Sequence, residues 1–391
     1  MFITSNKNIL GEGYVRSNSQ PGIRNHVIAF STIALTDVVT QHAAAKVPGT
    51  LTLTPQFERG LRGVDFEVQI NAIHSVLTHP NVGAALVITH DRSAALELKK
   101  VVATIDKPIY VLALMDAEGL ENAINMMATR LNELHEKATQ CQRVPITLAD
   151  LTVALECGGS DASSAVAANP AIGHFVDRLI NAGGTAIVSE TAEFLGAEDF
   201  VRKQSKSVEI ANEILACISH EEQLMIETGE DYRGVNPTRE NIEAGLTTLT
   251  EKTMGAVCKI GQSQFSGCLK FGERPNHEGL FFMDTPFFSP TSLSGMILGG
   301  AQVTLFAMGV FNPSGMPLAP TIKICGNPQT LERWGKSIDL DVSGLINGNL
   351  SLEESKDYIE EKIVNLLNGS LSCTEILGEG QLILPRVSAA L

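Results

Sequence analysis

Short apolar runs alternate with amphipathic helical patterns along nearly the whole of this 391-residue chain. Each apolar run has the length of a strand, and the patterns between runs are long enough for crossover helices. Such alternation predicts βαβ units, parallel sheets and right-handed connections. The predicted strands are residues 27–30, 51–53, 82–88, 109–113, 151–155, 185–188, 280–283, 303–307 and 321–324. The predicted helices are residues 36–46, 66–77, 93–104, 118–138, 164–182, 208–227, 239–254 and 351–367.

The basic and polar stretch 137–145 interrupts this alternation and is the best candidate for a linker. A length of 391 residues is also more than one ordinary domain needs. We therefore predict an N-terminal α/β domain over residues 1–140 and a C-terminal α/β domain over residues 146–391. The predicted fold class is α/β, with two Rossmann-like domains built on mainly parallel sheets.

The composition excludes some classes of protein. A formal net charge of −15 argues against a nucleic-acid partner, because phosphate binding needs a concentrated basic surface. The N-terminus lacks a cationic segment followed by a long apolar run, and the longest apolar stretches are strand-sized, so we expect no signal peptide and no membrane span. The seven cysteines form no CxxC pair, which is typical of reduced thiols in a cytoplasmic protein.

Several predicted strands end abruptly in polar or glycine-rich turns, at residues 156–161, 189–191, 284–286 and 326–327. Ligands of open α/β sheets bind beyond the carboxyl ends of the strands, so these turns predict the site. Gly158 and Gly159 permit close approach of a ligand, and Ser160 and Asp161 begin a helix whose N–H groups favour an anion. The same four residues also suit an ordinary tight turn with a helix cap.

Two further segments offer cations. Arg16 and Arg24 precede the first predicted strand and suit a carboxylate, although a solvated terminus would carry the same residues. Lys252 and Lys259 are seven residues apart, so two helical turns would bring them to one face. A buried lysine with a lowered pKa there would act as a base at an α-carbon; the alternative is an exposed helix face with ordinary charges.

An iron–sulfur cluster is a further possibility for four of the cysteines, because hydroxy-acid dehydration can use one. The residues are Cys157, Cys258, Cys268 and Cys325, and their spacing is unlike a compact cluster motif.

Taken in order, these segments resemble the altronate/galactarate dehydratase family, which includes the (2R)-sulfolactate sulfo-lyase large subunit. The resemblance spans nearly the whole chain. It rests on Gly13-Tyr14-x-Arg16, Gly22-x-Arg24-Asn25, Cys157-Gly158-Gly159-Ser160-Asp161, Ala168-Asn169-Pro170, Ser189-Glu190-Thr191, Asn236-Pro237, Asn241, Gly245-Leu246-Thr247, Glu251-Lys252, Gly272-Glu273-Arg274-Pro275 and Asp284-Thr285-Pro286.

The resemblance implies a lyase, usually Fe²⁺-dependent, that dehydrates sugar acids to 2-keto-3-deoxy products, with no nucleotide cofactor. It implies Cys157 and Glu190 as metal ligands. Asn25, Asn169, Asn241, Asp284 and Thr285 would contact the substrate together with the glycine-rich turn. A separate small SAF-type subunit is the expected protein partner, in a homo- or hetero-oligomer.

One loop departs from the family pattern. Sugar-acid dehydratases usually carry His and Cys after the second strand, whereas residues 55–63 here contain neither. Arg59 and Arg62 stand there instead and would suit a doubly anionic substrate, such as a dicarboxylate or a sulfonated acid. Metal binding is therefore expected to differ from that of relatives or to be absent.

These observations predict β-elimination from a small anionic 2-hydroxy acid. Lys252 or Lys259 would transfer the proton at C2, with Asp161 and Glu251 as further catalytic groups, and Arg16, Arg24 and Arg59 would hold the anionic ends. Dehydration of altronate or galactarate is the first predicted reaction. Release of sulfite and pyruvate from (2R)-sulfolactate is the alternative, and a non-catalytic binding subunit on the same fold is a third.

Overall fold

The computed structural model describes residues 9–17, 20–232 and 236–386. Its contacts divide the chain into two compact units. The N-terminal unit holds Glu12–Pro145 and the described part of Gln381–Leu391, and the C-terminal unit holds Ile146–Gly380 and the described part of Met1–Gly11. That residues 1–140 and 146–391 are separate domains stays a prediction.

The N-terminal unit is built on a four-stranded parallel sheet of order β3-β2-β4-β5. A two-stranded sheet joins β1 to β6. The strands are β1 (Gly11–Tyr14), β2 (His26–Ser31), β3 (Thr50–Leu53), β4 (Val82–Thr89), β5 (Ile109–Ala113) and β6 (Arg143–Ile146). The helices are α1 (Asp37–Ala45), α2 (Gly63–Thr78), α3 (Arg92–Val102) and α4 (Leu120–Ala138). Every residue of β4 is buried, as expected of a parallel strand covered on both faces.

The C-terminal unit carries a seven-stranded sheet in which every neighbouring pair is parallel, of order β13-β12-β11-β7-β8-β10-β9. Its strands are β7 (Thr152–Cys157), β8 (Thr185–Val188), β9 (Phe265–Leu269), β10 (Gly279–Met283), β11 (Val303–Met308), β12 (Thr321–Cys325) and β13 (Leu340–Asp341). The strand order reverses between β7 and β11, so a crevice is expected where the loops after these two strands diverge.

The helices of this unit begin after a π-helical turn at Ser164–Ala168. They are α5 (Asn169–Asn181), α6 (Glu198–Lys203), α7 (Val208–Glu227), α8 (Arg239–Glu243), α9 (Leu249–Val257), α10 (Ser289–Leu298), α11 (Pro328–Trp334), α12 (Gly344–Asn347), α13 (Leu352–Leu367) and α14 (Cys373–Leu377). The long helix begins at a capping box in which Ser351 and Glu354 satisfy each other's backbone N–H.

The α/β class with parallel sheets is confirmed. One predicted helix is wrong: residues 239–254 form two short helices, α8 and α9, because Gly245 between them has a φ of 101° that no helix permits. Strand β9 was not predicted. No helix within the described ranges has the length and apolar character that a membrane span requires.

Candidate active site

The glycine-rich turn after β7 is tied to the start of the loop after β11. Gly159 has a φ of 66°, and its carbonyl accepts hydrogen bonds from the N–H groups of Gly309 (3.1 Å) and Val310 (2.7 Å). A Cβ atom at Gly159 would lie 2.1 Å from the carbonyl oxygen of Val310. Only glycine fits there, so the two loops that flank the sheet's reversal point are held together.

Asp161, predicted as a catalytic group, has both carboxylate oxygens engaged. Its Oδ1 accepts from the N–H of Ser164 (2.8 Å) and the hydroxyl of Ser163 (2.7 Å). Its Oδ2 accepts from Nδ2 of Asn327, in the loop after β12, at 2.7 Å. These bonds fix the start of the following helix and join two loops, which is a positioning role.

Three predicted residues surround the Cys157 thiol. The Nδ2 group of Asn169 and the hydroxyl of Ser160 each lie 3.3 Å from Sγ. Asn241 reaches from α8 and donates from Nδ2 to the carbonyl oxygen of Ser160 at 2.8 Å. Burial raises the pKa of Cys157 to about 11, so the thiol keeps its proton at neutral pH.

Three glutamates are buried at the carboxyl ends of β7 and β8. Glu156, Glu190 and Glu193 are 1%, 3% and 1% exposed. Glu193 forms an ion pair with Lys259, whose side chain is also 1% exposed. Three carboxyl groups and one ammonium thus share one region of low dielectric, where charges act strongly on each other.

Glu156 is the last-but-one residue of β7. Its Oε2 accepts from the hydroxyl of Ser292 at 2.5 Å, and Ser292 is 2.6 Å from the hydroxyl of Ser189. Its Oε1 has no hydrogen-bond partner among the residues that the structure describes. Burial raises the pKa of Glu156 to about 7, while Lys259 and Ser292 oppose the rise. A carboxyl group with that pKa exchanges protons readily at neutral pH.

Glu190 follows β8 with a φ of 66°, a left-handed conformation that is costly for a residue with a Cβ atom. Its N–H donates to Oγ1 of Thr285 at 3.0 Å. Thr191 donates from Oγ1 to Oδ1 of Asp284 (2.6 Å) and accepts there from the N–H of Thr285 (3.1 Å). The loops after β8 and β10 therefore hold Glu190 in its strained conformation.

The pKa of Glu190 is raised well above its ordinary value, first by burial and then by the negative charges of Glu156 and Glu193. The unit thus places a carboxyl with a pKa of about 7 beside one that holds its proton more tightly than an ordinary glutamate. Pairs of carboxyl groups with separated pKa values serve as base and acid in enzymes.

The lysine expectations are corrected by the structure. Helix α9 ends at Val257, and Lys259 lies in the 3-10 turn Cys258–Ile260, so a shared helix face is not formed. Burial alone would lower the pKa of Lys259, but the charges of Glu193 and of its other neighbours outweigh burial and raise it. Lys259 is therefore a permanent cation, and the lowered pKa expected of a base is wrong for it.

Lys252 is buried in α9 beside an open cavity. Its Nζ donates to Oδ1 of Asn236 at 2.8 Å and lies 4.6 Å from the centre of the Phe287 ring. Asn236, Phe287 and Ala192 line a cavity of about 380 Å³, and Ala192 stands between Thr191 and Glu193. The cavity therefore borders the turn that carries Glu190 and Glu193.

Glu251, also predicted as catalytic, is exposed. Its Oε2 accepts from the N–H (2.9 Å) and the hydroxyl (2.6 Å) of Thr247, and Thr247 is the cause of its lowered pKa. These contacts tie down the turn that leads into α9. The geometry indicates a helix cap rather than a reacting group.

Arg16 and Asn25 belong to the N-terminal unit and hold its backbone. Five hydrogen bonds use the five N–H donors of the Arg16 guanidinium. They run to the carbonyl oxygens of Pro80, Val15 and Arg24, to Sγ of Cys141 and to Oδ1 of Asn25. Asn25 in turn donates to the carbonyl oxygen of Ala138 at 2.9 Å. This geometry gives Arg16 a structural role instead of the predicted contact with a carboxylate.

The other arginines lie in the same N-terminal unit. Arg24 donates to the carbonyl oxygen of Ile23 at 3.1 Å. Arg59 and Arg62 are exposed in the loop between β3 and α2, and Arg62 donates to the carbonyl oxygen of Leu61 at 2.8 Å. Their contact with a doubly anionic substrate stays a prediction.

The described residues do not fit the implied metal. Across residues 9–17, 20–232 and 236–386, no three His, Cys, Asp or Glu side chains are grouped so that they could hold one ion. Cys157 and Glu190 therefore lack a third ligand of these types, and the four-cysteine cluster is not formed. A requirement for Fe²⁺ stays a prediction.

Sequence reasoning missed Glu156 and Glu193. The signal was present for Glu156, because a carboxyl group inside an apolar strand is rarely buried without a purpose. For Glu193 the partner is 66 residues away along the chain, and no spacing rule connects the two.

A parallel α/β sheet with buried carboxyl groups of raised pKa at its carboxyl edge is a common layout of an enzyme site. The chain belongs to the D-galactarate/altronate dehydratase family. Residues 148–389 match the family model described as D-galactarate/altronate dehydratase, C-terminal, and residues 13–139 match the second domain of D-galactarate dehydratase/altronate hydrolase. The resemblance found in the sequence is confirmed.

Three proteins that act as lyases are similar to this chain. The chain is 30% identical to (2R)-sulfolactate sulfo-lyase subunit beta of Chromohalobacter salexigens, over 96% of this chain and 97% of that protein. It is 27% and 26% identical to the altronate dehydratases of Bacillus subtilis and Escherichia coli, over 94% and 93% of this chain and 76% and 74% of theirs. All are lyases, so the prediction of a lyase acting on a hydroxy acid is confirmed at that level.

Proposed function

We propose that this chain is the catalytic subunit of a lyase that dehydrates a sugar acid, such as altronate or galactarate, to a 2-keto-3-deoxy acid. The observation that carries the proposal is the pair of buried carboxyl groups. Glu156 has a pKa of about 7 and one oxygen, Oε1, without a hydrogen-bond partner among the described residues, and the pKa of Glu190 is raised well above its ordinary value.

Glu156 is the base in this proposal. Its unpartnered Oε1 takes the proton from C2, alpha to the substrate carboxylate, and the electron pair of that C–H bond moves into an enediolate. Lys259 stays cationic in its ion pair with Glu193 and opposes the build-up of negative charge nearby. The chain thus provides a base and a fixed positive charge within one buried cluster.

Glu190 is the acid. Its proton passes to the hydroxyl on C3 as the C3–O bond breaks, water leaves, and the resulting enol rearranges to a 2-oxo acid. Thr285, Thr191 and Asp284 hold the backbone of Glu190 in its left-handed conformation, so the acid is positioned before substrate arrives. Hydroxide is a poor leaving group, and dehydration therefore requires this proton.

A second candidate is sulfite release from (2R)-sulfolactate. The observation that favours it is the match to the sulfo-lyase subunit, which covers nearly all of both chains at 30% identity, whereas about three-quarters of each altronate dehydratase is covered. Sulfite leaves as a stable anion without a proton, so this reaction would use Glu156 and not the acid. Arg59 and Arg62 would then be candidates to bind the sulfonate.

We also propose a small SAF-type partner subunit and assembly with it into an oligomer. The naming of the sulfo-lyase relative as a beta subunit supports this, since that enzyme consists of more than one kind of chain. Iron analysis of the complex purified without oxygen tests the predicted Fe²⁺: stoichiometric iron supports it, and a metal-free active enzyme contradicts it.

The test uses the chain co-expressed with its candidate small subunit and purified anaerobically. Altronate, galactarate and (2R)-sulfolactate are supplied in turn, and 2-oxo acid and free sulfite are measured together. A 2-oxo acid without sulfite supports the dehydratase, and pyruvate with equal sulfite supports the second candidate. Absence of product from all three, by a complex that is folded, contradicts both and favours a non-catalytic binding subunit.

A further inference from the structure

Two cysteines of the C-terminal unit face each other across a helix–strand contact. Cys217 lies in α7 and Cys268 in β9, and their Sγ atoms are 3.8 Å apart. Both are free thiols and both are half-buried. The dehydratase mechanism uses neither of them.

The two thiols are chemically unequal. Either thiol can donate in the S–H···S contact between them, and the contact with Cys268 lowers the pKa of Cys217. The same contact, together with burial, raises the pKa of Cys268. Cys217 is therefore the better nucleophile, since the thiolate is the reactive form, and Cys268 is a second thiol placed to react with it.

The pair lies at the edge of the seven-stranded sheet. Strand β9 is the edge strand, pairs with β10 and also forms an isolated β-bridge from Phe265 to Ser205. The Asp284 carboxylate that follows β10 acts on the pKa of both thiols, and its Oδ1 accepts from Thr191, the neighbour of Glu190. A shift of β9 against α7 would thus act on Asp284, which contacts the loop that positions Glu190, the proposed acid.

We propose that Cys217 and Cys268 are a reversible disulfide site that responds to a peroxide-class oxidant. The Cys217 thiolate attacks one peroxide oxygen, the O–O bond breaks, and a sulfenic acid and water form after protonation. The Cys268 thiol then attacks the sulfenic sulfur, the S–S bond forms, and a second water leaves. Two thiols lose two hydrogens and two electrons in total, and hydrogen peroxide is reduced to two waters.

The bond has a structural consequence. The sulfurs must close from 3.8 Å to about 2.05 Å, which draws α7 and β9 together beside Asp284. Elimination activity is then expected to fall and to return on reduction. This second effect rests on the proposed function, whereas formation of the disulfide does not.

The test treats the reduced full-length chain with a small excess of hydrogen peroxide, followed by intact mass and non-reducing peptide mapping. We expect a mass loss of about 2 Da, for the two thiol hydrogens, and a linked peptide pair carrying Cys217 and Cys268, both reversed by a dithiol. The matched control is Cys258→Ser, which removes an exposed thiol and should leave the cross-link unchanged.

Cys217→Ser should abolish the cross-link, and wild-type reversal by dithiol supports the site even where that variant folds poorly. Oxygen addition at Cys258 with no Cys217–Cys268 link would overturn the proposal, because exposure alone would then decide oxidation. A cross-link that leaves elimination unchanged would keep the disulfide site and remove its connection to Asp284. Cross-linking in a chain without any lyase activity would support the disulfide site and contradict only the proposed function.

Discussion

Two buried carboxyl groups flank the same glycine-rich turn, and they are used in opposite ways. Glu156, before the turn, has one oxygen bonded to Ser292 and one without a partner among the described residues. Asp161, after the turn, has both oxygens bonded, to a backbone N–H and two side chains. Burial raises the pKa of Glu156 to about 7.

This difference separates a carboxyl group that can react from one that stabilises the loops around it. A buried carboxyl whose two oxygens both accept hydrogen bonds stabilises the loops around it, because its removal would leave the donor groups without partners. A buried carboxyl can accept a proton when one of its oxygens lacks a hydrogen-bond partner and a fixed cation lies nearby. Substitutions at both carboxyl groups and at their neighbours test that distinction.

Glu156→Gln should lower the rate of 2-oxo acid formation by about 10²–10⁴-fold, the usual contribution of a general base. The amide has nearly the same shape and still accepts from Ser292, so the fold should persist. The control is Glu354→Gln, an exposed carboxyl that caps α13 far from the reaction. Turnover by Glu156→Gln within a few-fold of wild type would remove Glu156 as the base.

Lys259→Met and Lys323→Met compare two buried ion pairs. Lys323 pairs with Glu379 and is 0% exposed, much as Lys259 pairs with Glu193. Each variant should lower the free energy of unfolding by about 3–5 kcal/mol, because an uncompensated carboxylate is left buried. In denaturant titrations the two losses should be similar, but only Lys259→Met should raise the pH at which activity begins.

Equal pH profiles of activity for Lys259→Met and Lys323→Met would contradict Glu156 as the base. Lys259 lowers the pKa of Glu156, so its removal must move that pKa upward, whereas Lys323 does not act on Glu156.

Asp161→Ala should cost about 1–3 kcal/mol of stability, for a lost helix cap and the hydrogen bond to Asn327. Thermal unfolding measures it. The pH dependence of the remaining activity should match that of wild type, since Glu156 is the proposed base. A wild-type melting temperature combined with a shifted pH profile would reverse the roles assigned to Glu156 and Asp161.

Glu251→Gln should have the smallest effect, with little change in the melting temperature, because an exposed cap contributes little. The kcat for elimination should stay within a few-fold of wild type. A large loss of kcat with unchanged stability would restore Glu251 to the catalytic role that the sequence predicted.

The sequence predicted the fold class, most strands and the turns that form the site, because a buried parallel strand is a continuous apolar run that ends at a polar turn. It failed at residues 239–254, where one glycine with positive φ divides a helical pattern. The sequence also did not predict Glu156 as the base. Ser292 is 136 residues from Glu156, so the environment that shifts this carboxyl is made only by folding.

The lysine prediction failed for a related reason. Spacing alone suggested a desolvated lysine, and desolvation does lower the pKa of an ammonium group. The Glu193 carboxylate reverses that effect at Lys259, and its position could not be known before the loop after β8 was placed.

The most direct test of the central claim is the pH dependence of kcat/KM for the unmodified enzyme, with Ser292→Ala beside it. Activity should rise with pH through about 7 as Glu156 loses its proton. In Ser292→Ala the rise should move to higher pH, because the Ser292 hydrogen bond lowers that pKa. A profile that stays flat well below pH 7, or one that Ser292→Ala leaves unmoved, would contradict Glu156 as the group that takes the C2 proton.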